Sequence, residues 1–113
     1  MKLENFEKDI GYKFKNIELL KTAFTHTSYA NENKKESNEK LEFLGDSILE
    51  FIVSNYLYKN YKKLKEGEMT KVRATVVCEQ SLYGIALKYD FDKLLYLGRS
   101  EKLSGGSHKP AIL

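Results

Sequence analysis

The chain has few of the residues that staple or interrupt a fold: one cysteine, one proline and no tryptophan. A single cysteine excludes an internal disulfide framework and a cysteine-rich zinc site, and it fits a reducing compartment. Pro110 is the one proline, so no proline interrupts a helix in the residues before it. The sequence therefore depends on ordinary hydrophobic packing for its stability.

Long apolar runs are also missing, because the longest is only about five residues, far short of a membrane span. Residues 1–10 carry Glu4, Glu7 and Asp9 and contain no apolar segment of the kind found in secretory signals. We therefore expect neither a membrane-spanning helix nor a signal peptide.

Charge of one sign is weak as well: 19 basic against 16 acidic residues leave a net charge of +3. Only two of the basic residues are arginine, so charge alone does not indicate a nucleic-acid-binding protein. The length of 113 residues and a hydrophobic content of 42% suit one small domain with a buried core. Disorder throughout the chain is excluded.

What is present is helical periodicity, since strand-type alternation is nearly absent. The sequence therefore predicts an all-α fold. The predicted helices cover residues 6–10, 17–25, 38–61, 68–77 and 80–89, with a short apolar piece at 94–97. Asn16 and Ser37 are predicted to cap the second and third of them, and residues 31–36, 62–67 and 104–107 are predicted loops. Residues 111–113 are typical of the start of a further helix.

The longest predicted helix carries acidic residues on one face. At 100° per residue they fall within an arc of roughly 80°, and they are Glu39, Glu42, Asp46 and Glu50. The opposite face predicts a buried core stripe, formed by Leu41, Leu44, Ile48, Phe51 and Ile52.

Two interpretations of the acidic face remain open: a solvated surface, or a cation site. No Lys or Arg occurs in residues 42–52 to balance the charge. Glu42 and Asp46, four residues apart, can place two carboxylates on one divalent cation with oxygen ligands, such as Mg²⁺. Phe43 lies inside the same arc, where it is either a lone exposed aromatic or one that a second subunit buries.

The run 38–49, NEKLEFLGDSIL, closely resembles the signature of ribonuclease III endonuclease domains. Residues 23–32, 66–74, 97–99 and 104–106 are similar to further segments of that family, in the same order. The resemblance covers about residues 6–113. Residues 1–113 are therefore identified as a ribonuclease III endonuclease domain, in partial form.

The resemblance assigns roles to individual residues. Glu42 and Asp46 match the first pair of catalytic metal ligands, for Mg²⁺ or alternatively Mn²⁺. Glu39 and Glu66 match accessory acids near the cleavage valley. Phe43 matches an aromatic that inserts into a pocket of the other subunit.

The resemblance also implies a cytoplasmic, all-α homodimer that hydrolyses phosphodiesters in double-stranded RNA during RNA processing, ribosomal RNA included. Its products carry 5′-phosphate and 3′-hydroxyl ends. The family's second acidic motif, an Asp and a Glu three residues later, would follow Leu113, and the double-stranded-RNA-binding domain is not in the sequence. We therefore expect the chain alone to bind Mg²⁺ poorly and to cleave RNA slowly or not at all.

Two other functions are compatible with the sequence. The first is a non-catalytic dimerisation or RNA-binding module derived from the same fold. The second is an all-α interaction domain unrelated to RNA, which would make the signature match accidental.

Thr27 is a lesser departure from the pattern of the family that the sequence resembles, because this family often has Arg at the position.

Several further residues have a structural and a functional interpretation. Lys71 and Arg73 are candidates for contact with the RNA backbone. We expect Tyr56, Tyr58 and Tyr61 to pack rather than to stack on RNA bases.

A solvated turn is the first interpretation of Lys62, Lys63 and Lys65, with phosphate contact as the alternative. His26 and His108 are expected to be structural. Cys78 is expected to be a small buried hydrophobe.

Overall fold

The computed structural model describes residues 2–113, and Met1 lies outside the described residues. This part of the chain is all-α, as predicted, and its only β-type pairing is an isolated parallel bridge between Thr25 and Tyr96. The helices are α1 (Lys2–Ile10), α2 (Ile17–Ala23), α3 (Thr27–Asn33), α4 (Glu39–Asn60), α5 (Glu66–Val76), α6 (Glu79–Lys88), α7 (Phe91–Leu94) and α8 (Arg99–Leu103), followed by a 3-10 turn at Gly106–His108.

Helices α3, α7 and α8 were not predicted: α3 replaces the first part of the expected loop at 31–36, and α7 lies mostly before the apolar piece expected at 94–97. The sequences of α3 and α8 lack apolar periodicity, so contacts outside each helix determine them. The Nδ1 atom of His26 caps α3 by accepting the Ser28 backbone N–H at 3.1 Å. The residues after Pro110 form a hydrogen-bonded turn instead of a helix, with the Leu113 N–H donating to the Lys109 carbonyl at 3.0 Å.

The start of the long helix α4 is anchored to the end of α2. Asn38, rather than Ser37, occupies the N-cap position, and its side chain does not cap the helix. Its Nδ2 donates to the Ala23 carbonyl at 3.0 Å, and its backbone N–H donates to the Thr25 carbonyl at 2.9 Å. Ser37 still contributes, because its Oγ accepts the Glu39 N–H at 3.3 Å. These hydrogen bonds therefore fix the N-terminal end of α4, where the acidic face begins.

A second junction holds α8 against α3. The Ser28 Oγ accepts the Gly98 N–H at 2.8 Å, and the Glu32 Oε2 accepts the Arg99 N–H at 2.8 Å. A Cβ at Gly98 would lie only 2.8 Å from the Ser28 carbonyl oxygen, so this close approach requires glycine. The bridge between Thr25 and Tyr96 lies beside this junction and ties the two halves of the chain together.

The buried core lies among α1, α2 and α7. It consists of Phe6, Leu20, Phe24 and Leu94, and the rings of Phe6 and Phe24 meet edge to face with centroids 5.4 Å apart. Edge-to-face geometry is favourable because the positive ring edge meets the negative ring face. None of the buried residues of this core belongs to α4.

The apolar stripe of α4 is not the core that its periodicity predicts, and that prediction is wrong. Leu44, Ile48, Phe51 and Ile52 are 49–68% exposed, and Leu41 is half-buried. The reason is tertiary, since α4 packs on α5 and the core forms elsewhere, with Leu57 the buried residue of α4. The radius of gyration is 16.1 Å, larger than the roughly 13 Å of a compact chain of this length.

Candidate active site on helix α4

Glu42 and Asp46 lie one helical turn apart on the exposed side of α4. With Glu39, Phe43 and Ser47 they line one surface depression. On their other side both carboxylates border a groove of about 660 Å³ between α4, α6 and the turn at 110–113. The structure thus brings together three of the four acids that the sequence singled out as site residues.

A divalent cation such as Mg²⁺ requires several oxygen ligands in one place. Within residues 2–113 no group of three or more His, Cys, Asp or Glu side chains is placed to hold a metal ion. Glu42 and Asp46 do offer oxygen donors on one face, which is the chemistry that Mg²⁺ prefers. Water or phosphate oxygens would complete the six positions of such an ion. The pair therefore fits Mg²⁺ as a partial and open ligand set.

Glu79 is an acid that the sequence analysis missed. It begins α6 and lines the same groove as Glu42 and Asp46. Its position in the first turn of a helix has an ordinary structural explanation, because carboxylates are favourable at helix N-termini. No periodicity connects α6 with α4, so only the packing of the chain could reveal its proximity.

Glu39 is held by a residue from another helix. The Thr27 Oγ1, in the first turn of α3, donates to the Glu39 Oε1 at 2.7 Å. Thr27 is the position where the sequence departs from the family's frequent Arg. The hydroxyl thus orients the carboxylate without placing a positive charge beside it.

Replacing Thr27 with Val is expected to lower the free energy of unfolding by about 0.5 kcal/mol, because an exposed hydrogen bond is at the weak end of the usual range. A cycle with Glu39→Ala, measured by urea unfolding, isolates this pair. The two substitutions should be non-additive, and strict additivity would contradict the contact.

Glu66 is not brought to Glu42 and Asp46 within one chain. It lines a separate depression of about 450 Å³ between α4 and α5. Arg73 lines the same depression and donates from Nη1 to the Ser54 Oγ at 2.8 Å, whereas Lys71 is exposed. The roles of Glu66, Lys71 and Arg73 therefore stay predictions, and Glu66 and Arg73 share one depression.

Phe43 is 80% exposed and lines the same depression as Glu42 and Asp46. Most of this large ring is therefore left uncovered within the described part of the chain. The open apolar stripe lies on the opposite face of α4, so the helix carries two exposed hydrophobic surfaces, and such surfaces in soluble proteins mark interaction sites.

The two histidines have structural contacts. His26 caps α3, as expected of a structural histidine. His108 accepts a hydrogen bond at its backbone oxygen from the Tyr83 hydroxyl at 3.1 Å, and its Nδ1 lies 4.0 Å from the Asp92 carboxylate.

Cys78 is exposed at the N-cap of α6, so the prediction of a buried cysteine is wrong. The residue ends the turn between α5 and α6 and does not reach the core. The Ser81 hydroxyl, 3.3 Å from the sulfur, lowers the pKa of the thiol, and the Ser81 backbone N–H acts in the same direction. Backbone N–H groups at the N-terminus of a helix stabilise a thiolate in general.

Ser81→Ala is expected to raise the pKa of Cys78, because the thiolate loses the hydroxyl that stabilises it. The pH dependence of alkylation by iodoacetamide reports this directly, since Cys78 is the only cysteine. The midpoint should move to higher pH in Ser81→Ala and stay unchanged in Ser100→Ala. An unmoved midpoint in the first variant would refute the assignment.

The end of α4 also differs from expectation. Tyr56, Tyr58 and Tyr61 are 48–75% exposed, so the prediction that they pack is wrong. Lys62, Lys63 and Lys65 are exposed in the following turn, as expected of a solvated segment.

Within the described residues, no helix is long and apolar enough to cross a membrane.

The family model described as Ribonuclease-III-like matches residues 16–113. The chain belongs to the ribonuclease III family, and it resembles a ribonuclease III-type endoribonuclease.

Curated relatives agree. Ribonuclease 3 of Listeria monocytogenes serotype 4b is 50% identical over 97% of this chain and 49% of its own length. Ribonuclease 3 of Oceanobacillus iheyensis is 51% identical over 100% of this chain and 51% of its own length. The chain thus spans about half the length of these relatives.

Solved structures agree with the fold. One nuclease domain of ribonuclease III from Campylobacter jejuni, described for flexibility in a region involved in its dimer formation, has a TM-score of 0.91 and 37% identity. The similarity covers 97% of this chain and 75% of the Campylobacter chain. A second structure of that domain has a TM-score of 0.88 and 38% identity, with 96% of this chain and 72% of that chain covered.

Proposed function

We propose that the chain is an endoribonuclease domain that hydrolyses phosphodiesters in double-stranded RNA with the help of Mg²⁺ or Mn²⁺. The observation that carries this proposal is the pair Glu42 and Asp46, exposed one turn apart at the meeting point of two depressions. Within residues 2–113 neither carboxylate pairs with a basic side chain. Both are therefore free to bind a cation.

Glu42 and Asp46 would hold the ion. A bound Mg²⁺ supplies a Lewis acid that stabilises charge on phosphate oxygens and lowers the pKa of water. Glu39, fixed by Thr27, and Glu66 are the accessory acids of this proposal. Lys71 and Arg73 are its contacts to the RNA backbone, where positive charge offsets that of the phosphates.

The second part of the proposal is a cytoplasmic homodimer. The exposed ring of Phe43 needs a partner surface, and a two-fold contact would cover this ring on each copy. The Campylobacter domain, described as having a region involved in dimer formation, supports this by likeness. Double-stranded RNA is proposed as the substrate from the family resemblance.

The third part concerns the 113 residues by themselves. Two carboxylates without a third donor hold hydrated Mg²⁺ weakly, and a loosely held ion catalyses poorly. We therefore propose weak cation binding and slow or undetectable cleavage for this chain alone. The ligands that complete the site would come from outside these residues.

The test is an exchange of segments. Residues 1–113 replace the matched segment of the Listeria relative, and the product is assayed on long labelled duplex RNA with Mg²⁺, with Mn²⁺ and with EDTA. The expected result is cleavage that needs the divalent ion and leaves 5′-phosphate ends. The isolated 113 residues, assayed beside it, should cleave far more slowly.

A different result would favour the alternative function. If the exchanged protein binds duplex RNA and dimerises but does not cleave, while the unmodified relative does, residues 1–113 are a non-catalytic dimerisation or RNA-binding module. The observation that favours this alternative is the lack of a three-residue metal cluster in the described part of the chain. Rapid cleavage by the isolated chain would instead refute the proposal of an incomplete site.

A further inference from the structure

We propose that the end of α4 binds unpaired RNA nucleotides next to the duplex that the enzyme cleaves. The surface in question, called here the tyrosine–lysine surface, consists of Tyr58, Lys59, Tyr61 and Lys62. This inference rests on the proposed function, because it takes RNA as the substrate. It adds a recognition site for the single-stranded part of that substrate.

The tyrosine–lysine surface is an open depression with aromatic walls. It has a volume of about 560 Å³ and is lined by Tyr58, Lys59, Tyr61, Lys62, Leu64 and Met69. Tyr58 is 75% exposed and Tyr61 is 48% exposed. The neighbouring Tyr56 lies with its ring 6.1 Å from that of Tyr61. Three tyrosines in six residues are therefore accessible instead of packed.

The backbone presents these rings in a defined way. Helix α4 ends at Asn60, and the Tyr61 N–H still donates to the Leu57 carbonyl at 3.0 Å. The Leu64 N–H then donates to the Tyr61 carbonyl at 3.1 Å, which closes the turn. The backbone of Tyr61 is thus fixed at the corner between helix and turn, so it need not become ordered when a nucleotide binds.

The charge of this region suits a polyanion. Residues 56–65 contain Lys59, Lys62, Lys63 and Lys65 and no acidic residue. Within residues 2–113 none of these four lysines lies within 4.0 Å of a carboxylate. The favourable end of the helix dipole accounts for Lys59, but not for the three lysines beyond the helix.

Acidic groups that face the region come from α5. Glu68 caps the start of α5, because its Oε1 accepts the Lys65 N–H at 3.0 Å. Glu66 lines the depression between α4 and α5 on the other side of Tyr58. The lining of the tyrosine–lysine surface itself contains no acid, so its local charge stays positive.

Unpaired nucleotides fit this surface better than a duplex or a second copy of the chain. In a duplex the base faces are stacked and hidden, whereas unpaired bases stack on exposed aromatic rings. A two-fold contact centred on this surface would bring the lysines of both copies close together, where they repel. Exposed tyrosines beside free lysines are the combination that binds single strands without a sequence preference.

The experiment compares two RNAs that share one duplex. One is blunt and the other carries an unpaired 3′ tail of about ten nucleotides, within the usual site size of such surfaces. Binding is measured by fluorescence anisotropy in EDTA, which prevents cleavage. We expect the tailed RNA to bind the wild-type chain about tenfold more tightly, since each stacked base contributes appreciably.

The matched variants place the effect on the tyrosines. Tyr58→Leu/Tyr61→Leu should lose the preference for the tailed RNA. Tyr12→Leu, which removes a tyrosine that is 55% exposed elsewhere, should keep it. The tail should also quench tyrosine fluorescence in the wild-type chain and much less in the double variant. Loss of the preference in both variants alike would overturn the proposal.

A lysine pair provides a second, independent test that leaves the aromatic rings unaltered. Lys62→Gln/Lys63→Gln should reduce the slope of log affinity against log salt by about 0.7 for each phosphate that a lysine no longer neutralises. Lys13→Gln/Lys15→Gln, two exposed lysines away from the surface, should leave the slope for the tail unchanged. Equal slopes in the two variants would overturn the proposal, even if the tyrosine variant failed to fold.

Failure of this inference can be told apart from failure of the proposed function. If blunt and tailed RNA bind equally while the exchanged enzyme cleaves duplex RNA, only the tyrosine–lysine surface is refuted. If the tyrosine variant changes the oligomeric state and not the preference for the tail, the surface is a contact between copies and the inference fails. If the tail binds as expected but nothing is cleaved, the proposed function fails alone.

Discussion

Asp46→Asn is expected to reduce Mg²⁺-dependent cleavage by at least about a hundredfold in the protein that carries residues 1–113 in place of the Listeria segment. The substitution keeps the shape of the side chain but removes its charge. Loss of an ionic ligand weakens the hold on a cation whose contribution to transition-state stabilisation is several kcal/mol. Initial rates of cleavage of labelled duplex RNA, measured over a range of Mg²⁺ concentrations, give the effect.

The matched control is Glu50→Gln. Glu50 belongs to the same acidic arc, one turn beyond Asp46, and is exposed, but it lines neither depression that Glu42 and Asp46 share. Its loss should therefore leave the rate within a factor of about three, because an exposed charge one helical turn away interacts through water by less than about 1 kcal/mol. If both variants lose activity equally, the acidic face acts through its total charge and Asp46 is not a specific ligand.

Phe43→Ala is expected to shift the chain from dimer to monomer. A buried aromatic at the centre of an interface commonly contributes about 2 kcal/mol or more. A two-fold dimer contains the residue twice. The dissociation constant should therefore rise by at least about a hundredfold, as measured by sedimentation equilibrium over a range of concentrations.

Leu103→Ala is the control for this prediction. Leu103 is 90% exposed on α8, so it tests whether removing any exposed hydrophobe has the same effect. Its dissociation constant should match that of the wild-type chain. A wild-type chain that stays monomeric throughout the range would refute the homodimer, and equal effects of both substitutions would refute the assignment of Phe43.

The site on α4 could be predicted in large part because it depends on one helix. Residues at a spacing of four share a face in any α-helix, so Glu42 and Asp46 had to lie together once α4 formed. The exposed position of Phe43 beside them followed from the same periodicity. The match of residues 38–49 to a known signature then indicated what such a face does.

Contacts between elements could not be predicted in this way. Glu79 reaches the groove through the packing of α6, and Thr27 reaches Glu39 through the packing of α3. Glu66 lines the depression that contains Arg73 and not the two that contain Asp46. These pairs are separated by many residues, so helical spacing carries no information about them.

Features that depend on neighbouring residues could be predicted from the sequence, whereas features that depend on packing between helices could not. The sequence by itself determined the all-α class, the long helix and its acidic face, because these depend on local periodicity and hydrogen bonds within four residues. Only the tertiary structure decided where the core forms, that the stripe through Leu44 and Ile48 stays open, and that Cys78 and Tyr58 are exposed. Burial depends on which helix covers a face, and several helices compete for that place.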